Sequence, residues 1–190
     1  MGGFFGAASR KSCKYDVFFG TDYHSHLGTK RGGLAFYDPD KGFQRQIHNI
    51  ENTPFRTKFE SDLEKFSGCY GLGCISDTDP QPLLVRSHLG LFAISTVGII
   101  TNAEELVEKT FSGPGYQFMA MSSGKVNATE LTAALINRCD NLIDGIRYAQ
   151  AAIEGSCTIL ILNRDGLIAA RDSMGRLPIV IGQSEKGCCA

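Results

Sequence analysis

What the chain lacks narrows its reading first. It has no excess of either charge: 19 Lys and Arg stand against 20 Asp and Glu, a formal net charge of −1. No run of like charge occurs, so nothing draws the chain to nucleic acid or to an anionic membrane surface. No apolar stretch is long enough to span a bilayer. The N-terminus has no basic segment ahead of an apolar core, so no secretory leader is legible. Gly2 suits N-myristoylation, but Gly6 stands where that signal needs Ser or Thr. No Cys-x-x-Cys pair occurs among the seven cysteines, which argues against zinc. Their odd number and irregular spacing make a poor disulfide framework, and they read as reduced thiols of a cytoplasmic protein. Internal repeats and low-complexity tracts are absent. Ser112-Gly-Pro-Gly-Tyr116 is a turn-rich loop without the Lys-Ser/Thr of a phosphate loop.

What is present suits one domain spanning residues 1–190. Apolar residues make up 43% of 190, enough for a real core. Gly3 to Ala8 reads as a buried strand that begins almost at the first residue, where most chains are still disordered. Cys13 to Lys30 reads as a helix weakened by Gly20 and Gly28. Gly32 to Tyr37 is strand-like. Thr53-Pro54 starts a helix to about Phe66, with Phe55, Phe59, Leu63 and Phe66 on one face.

Strands are expected at Gly71 to Ser76, Leu83 to Val85 and Leu91 to Thr96. Asn102 is placed to cap a helix with two acids in its first turn. Asn127, with Glu130 three residues on, caps another that runs to about Cys139. A further helix covers Ile143 to Ile153. Cys157 to Leu162 and Leu167 to Ala170 flank the turn dipeptide Asp165-Gly166, and a last strand covers Ile179 to Ile181. After Gly182 the residues are small and polar, with no closing element. Strands, then helices, then strands argue an α+β fold with mostly antiparallel sheets.

Asp22, His24 and His26 make a tempting cluster. On a helix, however, residues two apart point to different faces, so a metal site there is not expected.

The segment Asp165-Gly-Leu-Ile-Ala-Ala-Arg-Asp-Ser-Met-Gly-Arg-Leu-Pro-Ile-Val-Ile-Gly182 carries a resemblance. It is similar to the segment that closes the glutaminase domain of the amidophosphoribosyltransferases, which are class II glutamine amidotransferases. There the pattern is Asp-Gly, a strand, Arg-Asp, two residues, Gly, then x-Pro-Leu and a strand ending in Gly. Other matches follow in the family's order. Met1 to Gly6 resembles Met-Cys-Gly-Ile-x-Gly, and Lys30-Arg31-Gly32-Gly33 resembles His-Arg-Gly-Gln. Gly73-Cys-Ile-Ser-Asp-Thr78 resembles Gly-His-x-Arg-Tyr-x-Thr. Pro80-Gln81-Pro82 sits at the family's Gln-Pro, and Gly98-Ile-Ile-Thr-Asn102 resembles Gly-Asn-Leu-x-Asn. The resemblance covers essentially the whole chain. It implies the N-terminal-nucleophile hydrolase sandwich, a four-layer αββα stack in which the chain terminus lies in the active site.

In such enzymes a Cys that becomes the first residue attacks the glutamine amide. Its own α-amine serves as base, and an oxyanion hole holds the intermediate. The resemblance puts the nucleophile position on Gly2, which offers no nucleophile. It puts the substrate-carboxylate Arg on Ser76, the oxyanion Asn on Val97 beside Gly98, and the amine-binding acid on Ala128. Four polar functions are missing together, which describes a vestigial glutamine pocket. Arg31 is a candidate brace for the loops around it. Cys74, at the family's His, is a candidate substitute nucleophile or a small apolar filler.

Three readings follow. The first is a catalytically silent glutaminase-like domain, a scaffold or regulatory module for a phosphoribosyltransferase domain after residue 190 in the same chain. The second is an active amidotransferase, supplying ammonia for phosphoribosylamine in purine biosynthesis, whose cysteine was removed by engineering. The third is a regulatory module whose pocket takes another small molecule. None calls for a cofactor in this domain, a homo-oligomer is allowed, and nucleic acid and membrane are not expected partners.

Overall fold

The computed structural model of the protein describes residues 2–111, 121–122 and 125–190. The Ser112–Tyr116 loop lies outside the described residues. Twelve strands are described: β1 (Gly2–Ser9), β2 (Arg31–Asp38), β3 (Gly42–Asn49), β4 (Tyr70–Ser76), β5 (Leu83–Ser87), β6 (Gly90–Ile100), β7 (Met121–Ser122), β8 (Lys125–Val126), β9 (Gly155–Asn163), β10 (Gly166–Ala170), β11 (Gly182–Ser184) and β12 (Gly187–Cys189). The α-helices are α1 (Lys14–Tyr23), α2 (Phe55–Phe59), α3 (Ala103–Phe111), α4 (Ala128–Ile136) and α5 (Leu142–Ala152).

Six strands form one antiparallel sheet in the order β11-β12-β1-β4-β2-β3, and four form a second, β10-β9-β6-β5. The period of two along each strand sorts side chains into layers. On β2, Leu34 and Phe36 point outward to Phe18 of α1 and Phe55 and Phe59 of α2. Ala35 between them points inward, with Leu72, Ala93, Leu160 and Leu162, into the seam between the sheets. On the far side, Phe92, Ile94, Ile159 and Ile161 pack under Leu131 and Leu135 of α4 and Ile146 of α5. The stack is therefore helix, sheet, sheet, helix, as expected, and the early strand is there as β1.

Several expectations need correction. The α-helix expected over Cys13 to Lys30 ends at Tyr23 and tightens into a 3₁₀ turn, His24–Leu27. The helix expected to reach Phe66 is α2 plus a 3₁₀ turn, Glu60–Asp62, with Pro54 at its cap. There the buried Asp62 carboxylate is drawn to His48 and Lys65, each at 2.6 Å. The four expected apolar positions are nonetheless all buried. Strand β3 was not legible, because a sheet-edge strand with polar side chains shows little apolar alternation.

Asn102 stands immediately before α3, as expected, and its backbone carbonyl accepts the Leu106 amide at 2.9 Å. Its side chain spans to the Ala152 carbonyl at 3.0 Å and the Glu154 amide at 2.9 Å, tying the start of α3 to the end of α5. Helix α4 stops at Ile136, short of Cys139. Ile179 to Ile181 is not a strand. The tail instead forms the hairpin β11–β12, and β12 runs antiparallel to β1, with Ala7 opposite Cys189. Ala190 and Gly6 then exchange two backbone hydrogen bonds of 2.8 and 2.9 Å.

Candidate active site

The register brings three of the sequence candidates into one row. Gly2 of β1 and Arg31 of β2 both lie opposite Ser76 at the end of β4. Cys74 is one step further in, opposite Phe4 and Gly33. By alternation all of these lie on the face that meets the second sheet. From that sheet Val97 of β6 lies on the inward face, opposite Thr158, and Gly98 follows it opposite Cys157.

Two of these positions admit only glycine as the chain stands. A Cβ on Gly2 would lie 2.4 Å from the Ile75 carbonyl oxygen. Gly98 takes φ +152, and a Cβ there would lie 2.0 Å from the Ser156 carbonyl oxygen. Its strand thus approaches β9 more closely than a side chain allows.

The Ser76 hydroxyl is committed to its own turn. It accepts from the Thr78 amide at 3.2 Å and faces the Thr78 hydroxyl at 3.4 Å. Asp77 accepts the Thr29 amide at 2.6 Å, and that bond first of all holds its carboxyl below the usual range. Cys74 is fully enclosed: burial pushes its thiol up to about 12, against a smaller opposing effect of Ser95. A thiol in that state is a core side chain and no nucleophile. Asp22, of the histidine cluster, turns to Arg56 at 2.7 Å.

A residue that sequence reasoning missed is Asp79. It is buried, and its Oδ2 accepts the Ala128 amide at 3.3 Å. Asn127 Oδ1 accepts the next two amides, Thr129 at 2.8 Å and Glu130 at 2.9 Å. The first three amides of α4 are thus met by two side chains of the protein itself. A free helix N-terminus is a ready anion site; this one is filled. Gln81, in the loop between β4 and β5, reaches the second sheet, its side-chain oxygen accepting the Thr96 amide at 2.8 Å. Thr96 in turn meets Thr129 of α4, hydroxyl to hydroxyl, at 2.6 Å. The only sequence hint of Asp79 was its place in the turn Asp77-Thr-Asp-Pro80, which reads as loop chemistry.

A family model described as "glutamine amidotransferase domain" matches residues 56–190. The chain belongs to that family. Its relatives include the amidophosphoribosyltransferase of Methanocaldococcus jannaschii, 28% identical over 97% of this chain and 40% of that protein. The amidophosphoribosyltransferase of Archaeoglobus fulgidus is also 28% identical, over 87% of this chain and 34% of that protein. Among solved structures, glutamine phosphoribosylpyrophosphate amidotransferase from B. subtilis superposes with a TM-score of 0.84. It is 23% identical, and the match covers 100% of this chain and 41% of that one. A class II glutamine aminotransferase domain protein from Silicibacter pomeroyi gives 0.59 at 12% identity, covering 98% and 86%. This glutamine amidotransferase domain therefore has the N-terminal-nucleophile hydrolase fold, and it spans about 40% of the length of the first relative. No helix among the described residues is long and apolar enough to cross a membrane.

Proposed function

We propose that this domain keeps the glutaminase fold without glutaminase chemistry. In this reading it is a scaffold or regulatory module for a phosphoribosyltransferase domain that follows residue 190, in a reducing, cytoplasmic setting. Any amination by the whole protein then uses free ammonia. The observation that carries the reading is Gly2: it stands in the row with Ser76 and Arg31, has no nucleophile, and has the Ile75 carbonyl where a Cβ would go. Three further features support it. Val97 offers no side-chain donor to an oxyanion. The Ser76 hydroxyl is spent on Thr78. The Ala128 amide is capped by Asp79, at the position where the resemblance asks for a substrate-binding acid. The lengths of the relatives support the downstream domain.

The test is ammonia release from glutamine by the protein with its natural second residue, with N-terminal processing followed by mass spectrometry. No release above a heat-inactivated control is expected. Saturable release would replace this reading with that of a working amidotransferase.

A further inference from the structure

Helix α1 lies along β4 in a regular step. A Cβ on Gly73 would run into the Thr21 hydroxyl, and one on Gly71 would lie 3.1 Å from a Val17 methyl. Gly71 and Gly73 are thus the bare positions of β4 that receive the helix, and the buried Val17 and Thr21 fill them. Four residues of helix rise about 6 Å, and two residues of strand about 6.6 Å, so the step continues with little slip. One step back, the helix row reaches Cys13 and the strand row reaches Cys69. The Ser9 amide still donates to the Cys69 carbonyl at 2.8 Å, so the ladder with β1 holds there. Tyr70 next to it packs into the seam between the sheets, so by alternation Cys69 turns to the helix side.

The backbone fixes how near the two thiols are. The Cys13 amide donates to the Gly68 carbonyl at 3.0 Å, and the Cys13 thiol donates to the same oxygen at 3.6 Å. Across a planar trans peptide that oxygen sits about 2.8 Å from the Cα of Cys69. Even by the longest path the two Cα atoms are about 7 Å apart, and bridged cysteines have theirs at about 4.4–6.8 Å. The two differ in access. Cys13 is fully enclosed: burial pushes its thiol up to about 12, and Cys69 beside it pushes the same way. Cys69 itself is only half-buried. On β12 the adjacent Cys188 and Cys189 point to opposite faces and do not make a second pair.

We propose that Cys13 and Cys69 form a dithiol modification site, which a hydroperoxide closes to a disulfide between the start of α1 and the start of β4. The half-buried Cys69 reacts first. Its thiolate takes one peroxide oxygen as the O–O bond breaks, hydroxide leaves and is protonated to water, and a sulfenic acid remains. The Cys13 sulfur then attacks the Cys69 sulfur. The S–S bond forms as the S–O bond breaks, and the departing hydroxide carries off the Cys13 proton as water. In sum two thiols lose two electrons, and one peroxide becomes two waters. Cys13 ionises poorly, but it is held against its target, and fixed position offsets weak intrinsic reactivity. Where reductant is plentiful the pair stays open, so free thiols in the resting protein are part of the proposal.

The test titrates the fully reduced protein with hydrogen peroxide, blocks the remaining thiols by alkylation, and digests without reductant. Mass spectrometry then identifies the linked peptides and the oxidation state of each cysteine. The expected result is a Cys13–Cys69 link as the dominant crosslink, with the thermal midpoint of the oxidised protein raised and returned by dithiothreitol. Cys69→Ser should leave Cys13 reduced at the same dose. Cys13→Ser should let Cys69 accumulate as sulfenic acid, trapped by dimedone several-fold above wild type. Cys13 still reduced in the wild type at doses that oxidise the exposed Cys188 overturns the proposal, as does Cys69 passing on to sulfinic acid without a link. A dominant link between other cysteines, or between two chains, overturns it too. The wild-type map decides the matter by itself, so a variant that fails to fold does not shelter the proposal.

Discussion

Placing a thiol at position 2 is the most direct test of the proposed reading, and its outcome can be worked from the geometry. Gly2→Cys adds a Cβ 2.4 Å from the Ile75 carbonyl, nearly 1 Å inside ordinary contact, so the first residue of β1 must move away from β4 before the thiol finds room. Losing a covalent nucleophile costs on the order of 10⁶ in turnover in a well-studied protease, and that is the most the new thiol can return. Two deficits remain. Val97 has no donor for the oxyanion, worth roughly 10²–10³ in rate. Ser76 cannot make a guanidinium–carboxylate contact, and such charge-assisted bonds contribute roughly 1.5–3 kcal/mol. Gly2→Cys alone is therefore expected to release ammonia slowly and without saturation at millimolar glutamine. Adding Ser76→Arg and Val97→Asn should recover part of the activity. Ala128→Asp should add little on top, since its carboxylate arrives beside that of Asp79, where two like charges oppose each other. The assay is coupled ammonia detection on the single, triple and quadruple variants, with removal of Met1 checked by mass spectrometry. Saturable turnover at ordinary rates from Gly2→Cys alone would refute the reasoning.

Asp79→Ala leaves the Ala128 amide without its acceptor and should destabilise the domain by about 1–2 kcal/mol in urea unfolding, with the helical content of the folded state unchanged. Asp62 is depressed in the folded state: burial works to raise its carboxyl, and the hydrogen bonds from His48 and Lys65 prevail. Its contribution is therefore present above the unfolded-state value, near ~3.9, and lost as pH falls through the lower folded value. The stability gap between wild type and Asp62→Asn, measured by chemical denaturation, should close as pH drops from about 5 to below about 3. All seven cysteines should titrate after denaturation without reductant. In the native protein the exposed Cys188 should react first, and Cys13, Cys74 and Cys157 last, because burial raises their thiols to about 12, 12 and 11.

The framework was legible where one physical signal dominates. The apolar run from Gly3, the Asp165-Gly166 turn and the Asn127 cap each depend on local chemistry, and each is found close to where it was expected. Asn102 stands at the helix start where it was expected, but its second role was not legible, because a cap residue and a bridge between two elements look alike in sequence; its side chain goes to Ala152 and Glu154, 50 and 52 residues away. Strand β3 and the hairpin β11–β12 were missed for another reason. Both lie at sheet edges, where polar and small residues are tolerated and the period of two fades. The Ile179 to Ile181 stretch is the converse: its composition favours a strand, yet it has no ladder to join, and Val180 and Ile181 stay exposed.

The candidate site divides along the same line. Motif order alone named Gly2, Arg31 and Ser76, and pairing in the sheet puts them in one row. Asp79 could not be found that way, because its role is set by a contact to Ala128 across 49 residues of chain. That contact also bears on how a pocket can lose its chemistry while its fold persists. An acid that binds substrate at a helix N-terminus does two things: it binds a ligand and it satisfies amides that would otherwise be unmet. In the reading proposed here, Ala128 gives up the first role. Asp79 and Asn127 keep the second, meeting the amides of residues 128, 129 and 130 between them. Gln81 and Thr96 likewise tie the loop before β5, strand β6 and helix α4 together without needing a substrate between them. On that reading stability and catalysis are separable, because the groups that satisfy the buried backbone are not the groups that turnover would require. Stabilising residues intact around a site without its nucleophile are what the proposed reading, a domain retained for its shape, calls for.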